Sequence, residues 1–192
     1  GRSRSNIDLP GVQQELLETV YKAIKNIVLV LNNGRPLALP WADENIPAIV
    51  EAWQLGTQSG NAIAQVLYGD YNPSGKLPMS FPRNVGQVPI YYNHKNTGRP
   101  SNEDPNSIFW SHYNDVPNSP LYPFGYGLSY STFKYSNLKV SSNTLTDDNS
   151  ITVSVDVENT SNVDGKEVVH IENLAVEIGL DETIIEKLRG ME

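Results

Sequence analysis

The N-terminal half of the chain combines a helical hydrophobic pattern with short, continuously apolar stretches. One set of apolar residues recurs at helical spacing and predicts an amphipathic helix capped by Asp8: Val12, Leu16, Leu17, Val20, Tyr21 and Ile24. The stretch 26–31 is apolar and β-branched, which predicts a strand covered on both faces. Residues 59–69 predict a short helix, with Ser59 as N-cap and Gly69 as the glycine that ends it. Helices alternating with buried strands predict an α/β fold with a mostly parallel sheet.

The pattern changes in the second half of the chain. Proline, glycine, asparagine, tyrosine and serine dominate residues 82–127, which predicts a long loop of the kind that is usually functional or wraps over a neighbour. From about residue 130 the stretches 133–142 and 150–160 alternate with period two and predict an antiparallel β domain. This region is too short for a sandwich of about seven strands. Residues 172–192 carry a helix-like apolar pattern instead.

Composition narrows the choice of partners. Hydrophobic residues make up 39% and charged residues 19% of the 192 positions, so a packed core is expected. The net charge of −8 argues against nucleic acid or an anionic membrane surface, because both bind basic faces. The chain has no cysteine, and its longest apolar run, Ile27 to Leu31, is far shorter than a membrane span. Ten tyrosines and three tryptophans suit carbohydrate stacking, but also cores and interfaces.

The stretch GDYNPSGKL, residues 69–77, resembles a phosphate-binding loop only superficially. Such a loop requires G-x-x-x-x-G-K-[ST] between a strand and a helix. Here five residues separate Gly69 from Gly75, and Leu77 stands where the metal-binding hydroxyl belongs. A helical pattern precedes the stretch and a strand-like one follows it, so the order of elements is reversed. The nucleotide interpretation is rejected.

No catalytic motif is evident from the residue types alone. The histidines His94, His112 and His170 lie far apart without zinc-ligand spacing, so a metal site is not expected. The stretch 125–131 lacks the G-x-S-x-G of a nucleophile elbow. Most acidic residues lie in the C-terminal third, where a solvated acidic face is the simpler interpretation. No acid–base pair is singled out among the carboxylates of the α/β part, Glu51 included.

Several ordered motifs together carry a family resemblance. They are LPGVQQELL, IVLVLNNGRPLAL, AIVEAW, GNAIAQVLYGDYNPSGKLPMSFPRNVGQVPIYYNHKNTGRP and PLYPFGYGLSYSTFKYSNLKV. Over residues 2–169 the chain resembles the C-terminal part of glycoside hydrolase family 3, in the subgroup of the bacterial periplasmic-type β-glucosidases. The resemblance ends near His170, after which the sequence leaves the family pattern.

The resemblance implies a particular domain order. Family members have a barrel, then an α/β sandwich, then a fibronectin-III-like domain. The sandwich with its long loop is expected at 1–128, and a truncated fibronectin-III-like domain with an atypical tail at 129–192. The stretch 69–82 would be the turn that leaves the last sandwich helix. In that turn Lys76 is expected to be solvated.

The resemblance also implies a reaction. Family members hydrolyse terminal β-linked sugars with retention and without a cofactor, using two carboxyl groups about 5–5.5 Å apart. The nucleophile is an aspartate of the barrel, and the acid/base is a glutamate shortly before a segment like RSRSNIDLP, residues 2–10. Neither carboxylate is found in this chain, and Gln58 stands where many relatives have glutamate. No catalytic residue is therefore assigned, and the isolated chain is expected to be inactive.

Substrate contacts are expected from the N-terminal segment and the long loop. Arg2, Arg4, His94 and Arg99 are the candidates, since arginine and histidine can hydrogen-bond hydroxyls or a carboxylate. Internal or interdomain contacts remain the alternative for each of them. A second possible function is a non-catalytic sugar-binding or interaction module that uses the tyrosine-rich loop, including Tyr91 and Tyr92.

The expected partners follow from these points. The substrate would be a β-linked oligosaccharide or glucoside, bound together with a barrel domain. No nucleic acid, membrane, metal or cofactor is expected. A homodimer is possible, because an incomplete β domain has open strand edges. The resemblance implies a periplasmic or secreted location.

Overall fold

The chain folds into two compact units. The computed structural model describes residues 3–94, 98–99, 109–142 and 150–170. The described residues of 1–64 and 77–126 form the first unit, and those of 65–76 and 127–192 form the second. None of the helices in these residues is long and apolar enough to cross a membrane.

The first unit is built around a two-stranded parallel sheet. Its helices and strands are, in chain order, α1 (Gln13–Ala23), β1 (Val28–Leu31), α2 (Pro40–Asn45), β2 (Ala48–Glu51) and the first residues of α3 (Ser59–Leu67). Strands β1 and β2 run parallel, with Val28 opposite Ala48 and Leu31 opposite Glu51. The predicted α/β fold is thus confirmed at the level of one parallel strand pair.

The ends of helices α1 and α3 lie close to the positions predicted from the sequence, but the capping of α1 differs from the prediction. Helix α1 starts after Gly11, whose φ is +58°, and Val12 at its N-cap makes no side-chain capping bond. The expected capping role of Asp8 is therefore wrong. Its peptide N–H instead donates to Asn6 Oδ1 at 2.6 Å. Gly69, with φ of +80°, has the left-handed backbone predicted for the residue that follows α3.

The start of α3 differs from the prediction by one residue. Ser59 is the first residue of the helix, and the N–H of Ala62 donates to the carbonyl of Gln58 at 3.0 Å. The residue whose carbonyl accepts the first helical bond occupies the N-cap. Gln58 therefore takes the position expected for Ser59.

The core of the first unit lies at the C-terminal end of β1 and along the connection to α2. Phe81 is only 1% exposed, and its ring meets Trp53 and Tyr122 edge-on at centroid distances of 5.8 and 6.1 Å. The other buried members of the cluster are Leu17, Leu31, Leu37, Leu39, Ala42 and Ile46. Residues from the helices, the strand and the later loop thus share one core.

Strand β1 is covered on one face by the described residues. Ile27, Leu29 and Leu31 lie at alternate positions and pack on the core. Val28, on the opposite face, is 47% exposed. The prediction of a strand buried on both faces is wrong for the described residues, because an unbroken apolar run does not say whether a second layer is present.

The second unit contains an antiparallel pair, β3 (Phe133–Val140) and β4 (Val153–Asn159). The register shifts between Ser136 and Lys139, where Asn137 has a left-handed backbone with φ of 54°. An extra residue of this kind bends a strand and breaks its period-two pattern. The predicted antiparallel strands near residue 130 are confirmed. The tail 172–192 lies outside the described residues.

Asn72 joins three segments of the second unit. Its Nδ2 donates to Ser131 Oγ at 2.8 Å and to the carbonyl of Asp164 at 2.9 Å. Its Oδ1 accepts from Ser129 Oγ at 2.9 Å and from the N–H of Tyr130 at 2.8 Å. A side-chain amide has two donor hydrogens and two acceptor lone pairs, so the hydrogen-bonding capacity of Asn72 is fully used.

Lys76 is a structural residue of the same unit. Its side chain is 15% exposed, donates to the carbonyl of Gly127 at 2.8 Å and pairs with Glu167 at 3.2 Å. A Cβ at Gly127 would lie 2.4 Å from the carbonyl oxygen of Gly75, so this approach requires glycine. The expectation that Lys76 is solvated is wrong. Its partners lie about fifty or more residues later in the chain, beyond the reach of local sequence patterns.

We expect Asn72→Ala to destabilise the second unit by about 2–4 kcal/mol, because four hydrogen bonds worth about 1 kcal/mol each are lost. Native-state hydrogen exchange of the β3 and β4 amides measures this directly. The matched control is Asn162→Ala, an exposed asparagine of the same unit, which should stay within about 0.5 kcal/mol of the parent. Equal protection in both variants would show that the Asn72 bonds contribute nothing.

Candidate functional site

The segment that contains Arg4 is held in place by Arg35. The guanidinium of Arg35 donates from Nη1 to the carbonyl of Arg4 at 2.7 Å and from Nη2 to the carbonyl of Asn6 at 2.9 Å. The N–H of Ala38 adds a bond to the carbonyl of Ile7 at 3.0 Å. Arg35 is the fourth residue after the end of β1, so the turn beyond the carboxyl end of this strand fixes the N-terminal segment within the first unit.

Arg4 itself is exposed and partly engaged. Its Nη2 donates to the carbonyl of Asp8 at 3.1 Å, which closes a local loop. An arginine has five N–H donors, so the remaining ones are available to another acceptor. Arg2, the other predicted residue of this segment, lies outside the described residues.

Glu51 and Asn33 meet at the carboxyl edge of the parallel pair. Glu51 is the last residue of β2, and its Oε1 accepts from the N–H of Trp53 at 2.9 Å. Trp53 has a left-handed backbone with φ of 51°, which is unusual for a large side chain. Asn33 Nδ2 donates to the carbonyl of Arg35 at 2.7 Å, and the Asn33 side chain lies close enough to Glu51 to favour the charged form of its carboxyl. These contacts hold the chain reversals after both strands.

Two acceptor atoms of this cluster have no donor among the described residues. They are Asn33 Oδ1 and Glu51 Oε2, both buried. Burial raises the pKa of Glu51 above its ordinary value of 4.5, against the opposing effect of the bonds from Trp53 and Asn33. A half-buried carboxyl with a raised pKa at the carboxyl edge of parallel strands is a functional-site candidate. Its hydrogen bond to Trp53 gives it a structural role as well.

Sequence reasoning did not select Glu51. The pattern AIVEAW places a carboxylate at the end of an apolar strand, and this pattern is the signal in the sequence that points to Glu51. The left-handed backbone of Trp53 and the approach of Asn33 come from the fold, and the sequence does not encode them in a recognisable motif.

The long loop is organised by a buried glutamine. Gln87 is 2% exposed, and its Oε1 accepts from the N–H of Arg83 at 2.6 Å. Its Nε2 donates to the carbonyl of Pro117 at 2.8 Å. Arg83 reaches the carbonyls of Ser119 and Pro120 at 3.1 and 3.2 Å. Two distant parts of the predicted loop are thereby joined, although their only regular element among the described residues is the short 3-10 helix Val85–Gln87.

Tyr122 ties the end of the loop to α2. Its hydroxyl donates to Asp43 Oδ1 at 2.7 Å, and its ring stacks on Tyr126 at 5.4 Å. Burial and the neighbouring Asp43 carboxylate raise the pKa of the Tyr122 hydroxyl. The hydroxyl therefore stays protonated and keeps donating throughout the physiological range.

The predicted loop residues lie among aromatic side chains. His94 is exposed and tilts against Tyr91 with ring centroids 5.5 Å apart. Tyr92 stacks on Phe124 at 4.2 Å, so this ring serves an internal contact. The carbonyl of Arg99 accepts from the N–H of Ser111 at 3.1 Å.

A second ring pair follows in the loop. Trp110 and His112 stack with centroids 4.2 Å apart, and His112 Nδ1 lies 3.0 Å from the carbonyl of Trp110. Within the described part of the chain, no hydrogen bond joins Arg4 to His94. The assignment of Arg4, His94 and Arg99 to one sugar site stays a prediction. The described residues include no group of three or more acidic or histidine side chains able to hold a metal ion.

Comparison with known proteins gives a consistent result. A periplasmic β-glucosidase of Salmonella typhimurium is 53% identical over 169 residues, which are 88% of this chain and 22% of that protein. A β-xylosidase of Formosa agariphila is 45% identical over 171 residues, covering 89% of this chain and 23% of that one. The crystal structure of a β-glucosidase from Listeria innocua with isofagomine superposes with a TM-score of 0.77 at 44% identity, over 85% of this chain and 23% of that one.

Residues 1–130 match the model of the glycosyl hydrolase family 3 C-terminal domain. The chain belongs to glycosyl hydrolase family 3. It spans less than a quarter of the length of the relatives named above. The resemblance seen in the sequence motifs is therefore confirmed.

The raised pKa of Glu51 gives a pH-dependent prediction. Between 4.5 and its raised pKa the folded chain binds more protons at this site than the unfolded chain, so stability falls as pH rises through that window. Glu51→Gln removes this loss, keeps an acceptor for Trp53 and supplies a donor for Asn33. We expect its free energy of unfolding to equal or exceed that of the parent by up to about 1 kcal/mol near pH 7, and Glu51→Ala to lose about 1–3 kcal/mol.

Urea unfolding followed by tryptophan fluorescence, at about pH 4 and about pH 7, measures both variants, since all three tryptophans lie in the first unit. Glu44→Gln on the exposed side of α2 is the matched control and should differ from the parent by less than about 0.5 kcal/mol. A Glu51→Gln variant that is clearly less stable than the parent near pH 7 would show that the charged carboxylate is required.

Proposed function

We propose that this chain is the C-terminal part of a retaining β-glucosidase-type hydrolase that acts on terminal β-linked sugars. The observation that carries the proposal is the 53% identity to the periplasmic β-glucosidase of Salmonella typhimurium over 88% of the chain. The similarity to the Listeria innocua β-glucosidase supports the same reaction class. A β-xylosidase among the relatives keeps the identity of the sugar open between glucose and xylose.

Hydrolysis with retention requires two carboxyl groups, and we propose that different parts of the enzyme supply them. The nucleophile would come from a barrel domain, and the acid/base from the loop that precedes residues 2–10 in relatives. The chain's own part is positioning, because Arg35 fixes the carbonyls of Arg4 and Asn6. Small displacements of a catalytic group cost large factors in rate, so a fixed segment beside the acid/base loop supports turnover.

We further propose the domain division at residues 1–128 and 129–192. The long loop is assigned to the first domain, since Tyr122 donates to Asp43 of α2 and the described loop residues up to Tyr126 fall in the first unit. The antiparallel pair β3 and β4 supports an incomplete fibronectin-III-like domain in the second. The segment 65–76, which includes the end of α3, is an exception to this division in chain order, because Asn72 and Lys76 bond to residues of the second unit.

A non-catalytic sugar-binding module is the second candidate function. It is favoured by the exposure of aromatic rings along the loop, where Phe109 is 71% and Tyr91 is 50% exposed. Exposed rings of this kind can stack on sugars. Binding without turnover in the complete protein would favour this alternative.

Location and assembly are proposals of the same kind. The name of the Salmonella relative supports a periplasmic location. Self-association is supported by an exposed apolar row at four-residue spacing on and beside α1, consisting of Val12, Leu16, Val20 and Ile24.

We expect the purified 192-residue chain to release no nitrophenol from aryl β-glucosides or β-xylosides, because a chain without both carboxylates cannot run a double displacement. The control joins the chain to the barrel and acid/base loop of the Salmonella relative, and that chimera should hydrolyse the same substrates. Turnover by the isolated chain that follows it through several chromatographic steps would contradict the proposal.

In that active chimera, alanine at Arg2, Arg4, His94 or Arg99 should lower kcat/KM by about tenfold or more in at least one case, the cost of a lost charged hydrogen bond. Lys139→Ala on exposed β3 is the control and should retain the parent kinetics. If all four variants match this control, the residues have structural roles only.

A further inference from the structure

A cavity opens in the first unit between the start of α1 and the start of α2. Its volume is about 370 Å³. Its walls are formed by the residues Asp8, Leu9, Gln14, Ala38, Leu39, Pro40 and Trp41. Small-molecule sites have volumes of roughly 300–1,000 Å³ and are mostly apolar with a few convergent polar groups. The cavity is thus large enough for one sugar ring.

The indole of Trp41 is held in a defined orientation. Its ring meets the ring of Tyr21 at 89° with centroids 5.6 Å apart. Lys25 Nζ lies 3.6 Å from the centroid of Tyr21 and steadies that ring in turn. The carbonyl of Trp41 accepts from Asn45 Nδ2 at 2.8 Å. An indole fixed in this way presents a rigid apolar surface at little entropic cost on binding.

The two polar side chains have hydrogen-bonding capacity left over. The backbone of Asp8 is engaged with Asn6 and Arg4, while no described residue donates to its carboxylate. Gln14 uses one N–H on Glu18 Oε1 at 2.8 Å. Its second N–H and its carbonyl oxygen have no partner among the described residues. Asp8 and Gln14, which both line the cavity with Trp41, therefore have acceptor atoms and one N–H that no described residue uses.

We propose that this cavity binds a neutral sugar ring, which stacks on Trp41 and hydrogen-bonds through its hydroxyls to Asp8 and Gln14. A sugar has both an apolar C–H face and hydroxyls that donate and accept, which matches this set of groups. An anion would meet the carboxylate of Asp8. A purely apolar ligand would remove Asp8 and Gln14 from water without replacing their hydrogen bonds. The site would be one of binding only, so it does not depend on the proposed hydrolysis.

The test is a titration of the 192-residue chain with methyl β-D-glucoside, followed by saturation-transfer NMR and by tryptophan fluorescence. We expect saturable binding in the millimolar range, and binding of glucuronate weaker by about threefold or more because it is an anion. Asp8→Asn keeps the shape and removes the charge, so it should reduce this discrimination. Gln14→Ala should weaken binding of the glucoside by about threefold or more.

Trp41→Ala should weaken binding by about tenfold or more, since both the stacking and the cavity wall are lost. Tyr68→Ala, at an aromatic residue that is 85% exposed and lies outside both the loop and the cavity, is the matched control and should leave binding unchanged. If Trp41→Ala does not fold, as judged by circular dichroism, the Asp8 and Gln14 variants decide the matter. No saturation with the glucoside, or equal binding by parent, Asp8→Asn and Gln14→Ala, would overturn the proposal, and neither outcome would affect the test of hydrolysis by the chimera.

Discussion

Parallel pairing of β1 with β2 determines where the polar groups of the first unit lie. Because both strands point the same way, the residues that follow them emerge at one edge of the sheet. Asn33 and Arg35 follow β1, and Glu51 and Trp53 stand at the end of β2, so the Asn33 side chain, which donates to the carbonyl of Arg35, lies near the carboxyl of Glu51. An antiparallel pair would place these two groups at opposite ends.

The polar residues at this edge of the sheet hold the backbone in place. Arg35 uses two N–H groups to fix the N-terminal segment. Glu51 accepts a hydrogen bond from the N–H of Trp53 and so supports the left-handed backbone conformation of that residue. Two hydrogen bonds from one charged guanidinium to two carbonyls are stronger and fix the geometry better than a single hydrogen bond between neutral groups. The same principle orders the irregular parts of the chain. In the long loop, the side chain of Gln87 bonds to the distant backbone carbonyl of Pro117. In the second unit, the side chain of Asn72 bonds to the distant backbone carbonyl of Asp164.

The extent to which the sequence predicted the fold follows from these bonds. The sequence predicts helices α1 and α3, the parallel strands and the antiparallel pair, because each leaves a periodic signature. The solvation of Lys76 and the burial of Val28 were predicted wrongly. Lys76 depends on Gly127 and Glu167, and Val28 depends on whether a second layer is present. Contacts between residues far apart in the chain have no period, and sequence patterns do not reveal them.

The candidate site was predictable only through family resemblance. The motifs identified the family, and the match over residues 1–130 confirmed it, but the roles of Arg35 and Glu51 came from hydrogen bonds seen in the fold. Arg4 was selected as a substrate contact. The described bond of its side chain goes to the carbonyl of Asp8 and closes its own segment, while the substrate contact stays a prediction.

The polar side chains of this chain differ in how many of their donors and acceptors are already bonded within the protein. Asn72 and Gln87 use their amides on the protein itself, and a ligand would have to break those bonds to reach them. Glu51 Oε2 has capacity left but is buried, so a donor from outside reaches it only if the strand ends move. Asp8 and Gln14 have capacity left and line a cavity. Polar groups that line an open cavity and have capacity left can bind a ligand without the loss of a hydrogen bond within the protein.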